Sequence, residues 1–350
     1  MTGHTLRLAV PRGRTLWRIV ALTLAVALLA ALALAWADYS RFTNTPLHAS
    51  AQGDSLDVAR GSGLRSIVGQ LRARDATRAP ALYWRALAAQ MGVAGKLHAG
   101  EYAISAGLTP RQLLANMAGD KVLQWHFTIV EGWTFRELRQ ALARVDKLGQ
   151  DGAALDDATL MRRLGAGDEV PEGRFLPETY AWVKGDSDLD ILRRAHDAMR
   201  KTLDSLWPQR APDLPLSTPY EALILASIVE KETGLPAERA RIAGVFVRRL
   251  AAHMLLQTDP TVIYGMGAGY AGNIRKTDLE ADTPYNTYLR AGLPPTPIAL
   301  PGKASLVATL HPAAGSELYF VARGDGGHVF ASTLDEHNRN VDCYQRKRCR

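Results

Sequence analysis

The sequence predicts an α+β protein with one N-terminal transmembrane helix, a small α/β module, and a larger mixed domain organised around a single buried helix. Three observations predict it. Ile19 to Ala37 carries no charge and is about as long as a bilayer crossing requires. From Asp54 to about Val122, short segments with strand and helix periodicity alternate. Pro219 to Gly234 is an apolar helical stretch with stop and start signals at both ends. At 350 residues the chain has room for two or three domains.

Arg7, Arg12, Arg14 and Arg18 precede the apolar run, and no acid appears before Asp38. This bias keeps residues 1–18 cytoplasmic and exports everything after the anchor at 19–37. Trp17 and Trp36 sit at its two ends, where interfacial aromatics belong. A cleavable signal peptide is the rival, because Ala33-Leu-Ala35 and Ala35-Trp-Ala37 resemble cleavage sites. The apolar run is longer than a signal-peptide core, which favours a retained anchor. Residues 38–53 are polar and turn-rich and read as a stalk.

Residues 54–123 form the small module. Ser55 to Ala59 alternates as a strand, Leu64 to Arg74 and Ala79 to Met91 read as helices, and Glu101 to Ser105 as a second strand. Thr109 caps a further helix reaching Met117. Two strands with intervening helices are similar to a LysM-type carbohydrate-binding module. The larger domain, 124–341, begins with a strand at Trp125 to Val130 and a helix from Phe135 to about Val145. Asp188 to Trp207 is amphipathic, with Leu192, Ala195, Met199 and Leu203 aligned. Ala237 to Ala252 is another helix. Asp259 is read as the cap and Pro260 as the opening of a short helix that Gly265 ends. Leu306 to Leu310 is helical, and Leu318 to Ala322 with His328 to Phe330 makes a hairpin. Residues 342–350 are left as a tail.

In the central helix, Thr218 is the expected N-cap, Pro219 suits the first position, and Glu221 closes a capping box. Gly234 is expected to end it in the left-handed conformation, with Pro236 blocking continuation. Ala222 to Val229 is apolar almost all round, yet the last turn carries Glu230 and Glu232. At about 100° per residue Glu232 falls on the line of Leu225, between Ile228 and Val229, whereas Glu230 points away with Ser227. Desolvation and the negative end of the helix dipole should both raise the pKa of Glu232. A carboxylic acid protonated near neutral pH suits a general acid for glycosidic cleavage. The helix alone also admits a plainer reading, a helix-end glutamate paired with Lys231 or a nearby arginine.

The formal charge of +7 suits anionic surfaces in general. No zinc-finger spacing, RNA-recognition signature or dense Lys/Arg helix points to nucleic acid. Cys343 and Cys349 are the only cysteines, in a terminal run without histidine at ligand spacing, so neither a metal nor another cofactor is expected.

Several stretches together closely resemble the endolytic murein transglycosylase (YceG-like) family: Ala226 to Thr233, Leu256 to Gly265, Tyr285-Asn-Thr-Tyr288, Gly292 to Pro295, His311-Pro312 and Gly327-His328. Leu97 to Tyr102, Thr109 to Leu113 and Pro177 to Tyr180 extend the likeness. It implies an inner-membrane lytic transglycosylase that cuts nascent peptidoglycan strands internally and leaves 1,6-anhydro-MurNAc ends, working beside peptidoglycan synthases. The family's catalytic acid corresponds to Glu232, on a helix whose Glu-Thr pair is similar to the Glu-Ser of goose-lysozyme-like transglycosylases. Gln257, Thr258, Asp259, Tyr264, Tyr285, Asn286, Thr287 and Tyr288 are the candidate glycan-binding residues, offering amides, hydroxyls and ring faces to sugars. Turn capping and core packing explain the same residue types equally well. Two other functions remain open: a two-carboxylate muramidase using Asp259 or Glu230, and a membrane-anchored peptidoglycan-binding scaffold without turnover.

Overall fold

The computed structural model describes residues 13–49 and 54–348. The cytoplasmic arm up to residue 12, part of the expected stalk at 50–53, and Cys349 lie outside the described residues. The architecture is mixed α+β, and the chain divides into two compact units at Gln124/Trp125.

The first unit opens with helix α1 (Gly13–Asn44), whose Leu16–Asn44 portion is long and apolar enough to cross a membrane. A small module follows: strand β1 (Asp54–Val58), helices α2 (Leu64–Ala73) and α3 (Ala81–Gln90), strand β2 (Gly100–Ile104) and helix α4 (Pro110–Ala118). The strands pair antiparallel, Asp54 opposite Ile104 and Val58 opposite Gly100. Leu56, Ile67, Leu71, Trp84, Leu87, Tyr102 and Leu113 fill the core between strands and helices. Thr109 caps α4 in the expected capping box with Gln112.

The stalk expectation is corrected. Residues 38–44 continue α1, because Tyr39 and Phe42 are drawn onto the module: Tyr39 meets Tyr83 edge-on at 5.6 Å and Phe42 meets Trp84 at 5.3 Å. Leu47 is buried in the same core and its N–H donates to the carbonyl of Leu108. Two aromatics one turn apart are a packing signal that polar composition had obscured.

The second unit runs through strand β3 (Gln124–Thr128), helices α5 (Phe135–Leu142) and α6 (Asp157–Leu164), strand β4 (Thr179–Val183) and helix α7 (Asp188–Leu206). Helices α8 (Pro219–Glu232), α9 (Pro236–Ala251), α10 (Asp259–Met266), α11 (Lys276–Glu280) and α12 (Lys303–Leu310) follow. Strands β5 (Tyr319–Ala322) and β6 (His328–Ala331) and helix α13 (Leu334–Tyr344) complete it. β3 pairs with β4, and β5 pairs antiparallel with β6, Ala322 opposite His328.

α8 is the spine of this unit. Ala222 through Val229 are all buried, against α9, α12 and the segment before α10. Its one interior polar group is satisfied: the Ser227 hydroxyl donates to the Ile224 carbonyl and accepts from the Ile298 N–H at 3.0 Å. Thr218 caps the helix as expected, but the Glu221 carboxylate accepts from the N–H of Ser217, so no capping box forms. The left-handed Gly234 ending is also corrected. Buried Thr233 leaves the helix in an extended conformation, and its hydroxyl accepts from the Leu235 N–H at 2.9 Å. Pro236 then takes the first position of α9.

Candidate functional site

The last turn of α8 delivers its two acids to different fates. The Glu230 carboxylate accepts from the Gly302 N–H at 2.9 Å and the Ser305 hydroxyl at 2.7 Å, filling the orphan donors at the start of α12. Arg239 stands 4.0 Å from its other oxygen. Glu230 is therefore tied into the fold at the start of α12. Glu232 instead faces a pocket of about 400 Å³, a volume within the usual range for small-molecule sites.

Crowded by protein, Glu232 still keeps part of its surface open to that pocket. Burial raises its pKa most, and the Asp259 charge adds to the rise. The Thr258 hydroxyl, His328 and Arg249 pull the other way, leaving the carboxyl at about 7. The Thr258 hydroxyl donates to Oε1. Oε2 has no hydrogen-bond partner among the described residues, so it is the oxygen free to carry the proton into the pocket.

The walls come from α9, the start of α10, the loop after α11, the hairpin and α13. The loop before α10 supplies Gln257 and Thr258, the first residue of α10 is Asp259, and Tyr288 joins from the loop after α11. Gln257 adopts φ +51, a left-handed conformation that costs a non-glycine residue energy. Arg249 of α9 holds this loop: its guanidinium donates to the Leu255, Leu256 and Leu318 carbonyls, the last at 2.6 Å. The hairpin supplies Tyr319 and His328. The His328 Nδ1 is paired with the Glu238 carboxylate at 2.8 Å, and the His328 N–H donates to the same carboxylate, which fixes the ring and leaves Nε2 without a hydrogen-bond partner among the described residues.

Residues 56–343 match the family described as YceG-like. The chain belongs to the YceG-like family. An endolytic murein transglycosylase of Bacillus subtilis is 30% identical over 309 residues, covering 83% of this chain and 84% of that protein. A Streptococcus pneumoniae protein of the same name is 34% identical over 176 residues, 49% of this chain but 31% of its own length. A crystal structure of a YceG-like protein from Listeria monocytogenes superposes with a TM-score of 0.50 at 27% identity, covering 83% of this chain and 99% of that one.

Within this YceG-like chain the sequence-expected residues separate into three groups. Glu232, Gln257, Thr258, Asp259 and Tyr288 meet at the pocket. Asn286 and Thr287 are buried and serve the loop: the Asn286 amide donates to the Leu279 and Ala281 carbonyls, and the Thr287 hydroxyl accepts from the Thr258 N–H. Tyr264 and Tyr285 pack edge-on at 4.9 Å away from the pocket lining, Tyr264 on a second cavity and Tyr285 bonded to Thr296.

The expected Asp259 cap is corrected. Thr258 occupies the cap position and Asp259 the first helical one, so its carboxylate is free to accept from the Tyr288 hydroxyl at 2.6 Å. α10 also runs one residue past Gly265. That glycine packs closely on the following loop: a Cβ there would come within 3.1 Å of Tyr285 Cβ and of the Thr283 hydroxyl, a tight contact.

Arg249, Tyr319 and the wall formed by α13 were not legible in advance. Arg249 is a helix arginine among several, and its role depends on the Leu318 carbonyl brought to it from the segment just before β5. α13 has a polar sequence with little apolar periodicity, yet Leu334, His337 and Val341 reach the pocket and His337 stacks on Tyr319 at 5.2 Å. Its extent through Tyr344 shortens the expected tail, and Cys343 on it is disulfide-bonded.

Proposed function

We propose that this chain is a membrane-anchored lytic transglycosylase that cleaves MurNAc–GlcNAc β-1,4 bonds within nascent peptidoglycan strands and so ends their elongation. The observation that carries the reading is Glu232: a carboxyl held near pKa 7 by burial, one oxygen bonded to Thr258, the other open to the pocket. In the catalytic step, protonated Glu232 donates to the glycosidic oxygen as positive charge develops at MurNAc C1. The carboxylate left behind takes the proton of the MurNAc C6 hydroxyl, whose oxygen bonds to C1 and closes the 1,6-anhydro ring. The nucleophile is part of the substrate and already close, so no second carboxylate is needed. Gln257 and Tyr288 offer an amide and a ring to the sugar, and Asp259 lends negative charge beside the developing cation.

Anchoring rests on α1, with the arginine-rich end cytoplasmic and the catalytic domain outside the membrane. The βααβ order of the small module supports a LysM-like carbohydrate-binding role. Peptidoglycan strands are the substrate in this reading, with peptidoglycan synthases as neighbours.

Asp259 on the same wall is the observation that favours a second reading, hydrolysis by a two-carboxylate muramidase. Its bond to Tyr288 speaks for a fixed charge over a water-activating base. Glu230 is committed to α12 in either case. Digestion of purified sacculi followed by mass spectrometry separates the readings: anhydro ends from wild type and none from Glu232→Gln are expected. Reducing ends would establish the muramidase, no release by either protein would leave a binding scaffold, and equal release by both would remove Glu232 from its role.

A further inference from the structure

The junction of α1 with the small module carries an apolar groove that neither the proposed reaction nor glycan binding uses. Leu32, Ala35 and Trp36 of α1 form one side, and Leu82 and Ala86 of α3 the other, with Tyr39 and Tyr83 at the base. Leu82 is 68% exposed and Trp36 66%. On α3, Leu82, Arg85, Ala86 and Ala89 share the outward face at helical spacing, opposite the buried Trp84, Leu87 and Ala88.

The span sets the depth of this groove. At about 1.5 Å per residue the uncharged run from Ile19 to Ala37 matches a hydrocarbon core of roughly 30 Å, so Trp36 stands at its outer boundary and Leu32 about one turn inside. Leu82 lines a single groove with both, and therefore lies at the same level. The position is set by the packing of α1 on α3: Tyr83 donates to Asp38 at 2.8 Å, Tyr39 donates to Gln90 at 2.9 Å, and the rings of Tyr39, Phe42, Tyr83 and Trp84 interlock. Tyr83 also borders a hollow lined by Arg41 and Arg78, the second paired with Asp75 at 3.1 Å, which places arginines near the level of lipid phosphates.

We propose that the module docks on the bilayer through α3, with Leu82 and Ala86 in the lipid interface beside Trp36 and the neighbouring arginines at the headgroups. The occupant of the groove is the outer leaflet of the membrane that α1 spans. The docking rests on α1 being a retained anchor, and it adds that the module lies flat on the membrane.

The test uses full-length protein in nanodiscs containing anionic lipid. Nitroxide labels are placed at Leu82→Cys, Leu28→Cys in the span and Lys96→Cys on the exposed surface of the module, in a Cys343→Ser/Cys349→Ser background. Collision rates with oxygen, which partitions into lipid, and with a water-soluble nickel chelate report the surroundings of each label. We expect the oxygen-to-nickel ratio at Leu82 to exceed that at Lys96 several-fold and to approach that at Leu28. A lipid-like Leu28 with Leu82 matching Lys96 would overturn the docking and leave the anchor standing. A water-like Leu28 would overturn the anchor itself. Low collision rates with both reagents at Leu82 would also overturn the proposal, showing that protein covers the groove.

Discussion

Two carboxylic acids in the catalytic unit are held near pKa 7 by burial, and they differ in what their oxygens do. Glu172 is 5% exposed; one oxygen accepts from the Phe135 N–H at 2.9 Å and the other from the Tyr264 hydroxyl at 3.0 Å. Glu232 accepts one hydrogen bond, from Thr258, and turns its second oxygen to a pocket. α10 links them, with Thr258 at its cap and Tyr264 two turns along. A raised pKa records desolvation, which both share. Unused hydrogen-bonding capacity facing a cavity is what separates a reactive acid from a structural one.

The sharpest way to break this contrast is to neutralise each acid. Glu232→Gln should lower anhydro-muropeptide release by about 10²- to 10⁴-fold, the usual contribution of a general acid. The same variant should be more stable than wild type above neutral pH. With a folded pKa of about 7 and a lower unfolded value, Glu232 costs nothing while both states are protonated. Stability is then lost as pH rises, up to roughly 3 kcal/mol above pH 7. Melting curves should coincide at pH 4 and diverge at pH 8. Equal activity, or a variant less stable at pH 8, would remove Glu232 from its role.

A smaller effect is expected at the bond that distinguishes the two acids. Thr258→Val removes the donor that lowers the Glu232 pKa, so the alkaline limb of kcat/KM should move to higher pH and the rate should fall about tenfold, the scale of one charge-assisted hydrogen bond. The matching change at the other acid, Tyr264→Phe, should cost about 1–3 kcal/mol of stability by leaving a Glu172 oxygen unpaired, with activity nearly unchanged. Chemical denaturation and muropeptide assays on both variants check the crossover. Loss of activity in Tyr264→Phe beyond a few-fold would show the two sites are not separate in function.

The smallest effect is electrostatic. Asp259→Asn removes a charge that raises the Glu232 pKa, so the alkaline limb should shift to lower pH. A shift upward would mean Asp259 is not acting through its charge.

Local signals carried much of this into the sequence. The cap at Thr218, the apolar faces of α8 and the place of Glu232 on the Leu225 stripe all depend on residues within a few positions of one another. The ends of α8 were less legible, since Glu221 chose the Ser217 N–H and Thr233 left the helix extended. Asn286 and Thr287 read as polar loop residues, and only the fold reveals that their groups are spent inside the loop. Arg249 and Glu172 were silent because their partners lie far off in sequence: Leu318 for one, Phe135 and Tyr264 for the other. The continuation of α1 through Asn44 depended on aromatic partners in α3.

The most direct measurement is a ¹³C NMR titration of glutamate side-chain carboxyls in wild type, Glu232→Gln and Glu172→Gln. Two carboxyls titrating near pH 7 are expected in wild type, with one lost in each variant and the Glu232 signal alone disturbed by added glycan fragments. A Glu232 signal that titrates between pH 4 and 5 would contradict the account at its centre, because the acid would then reach the glycosidic oxygen already without its proton.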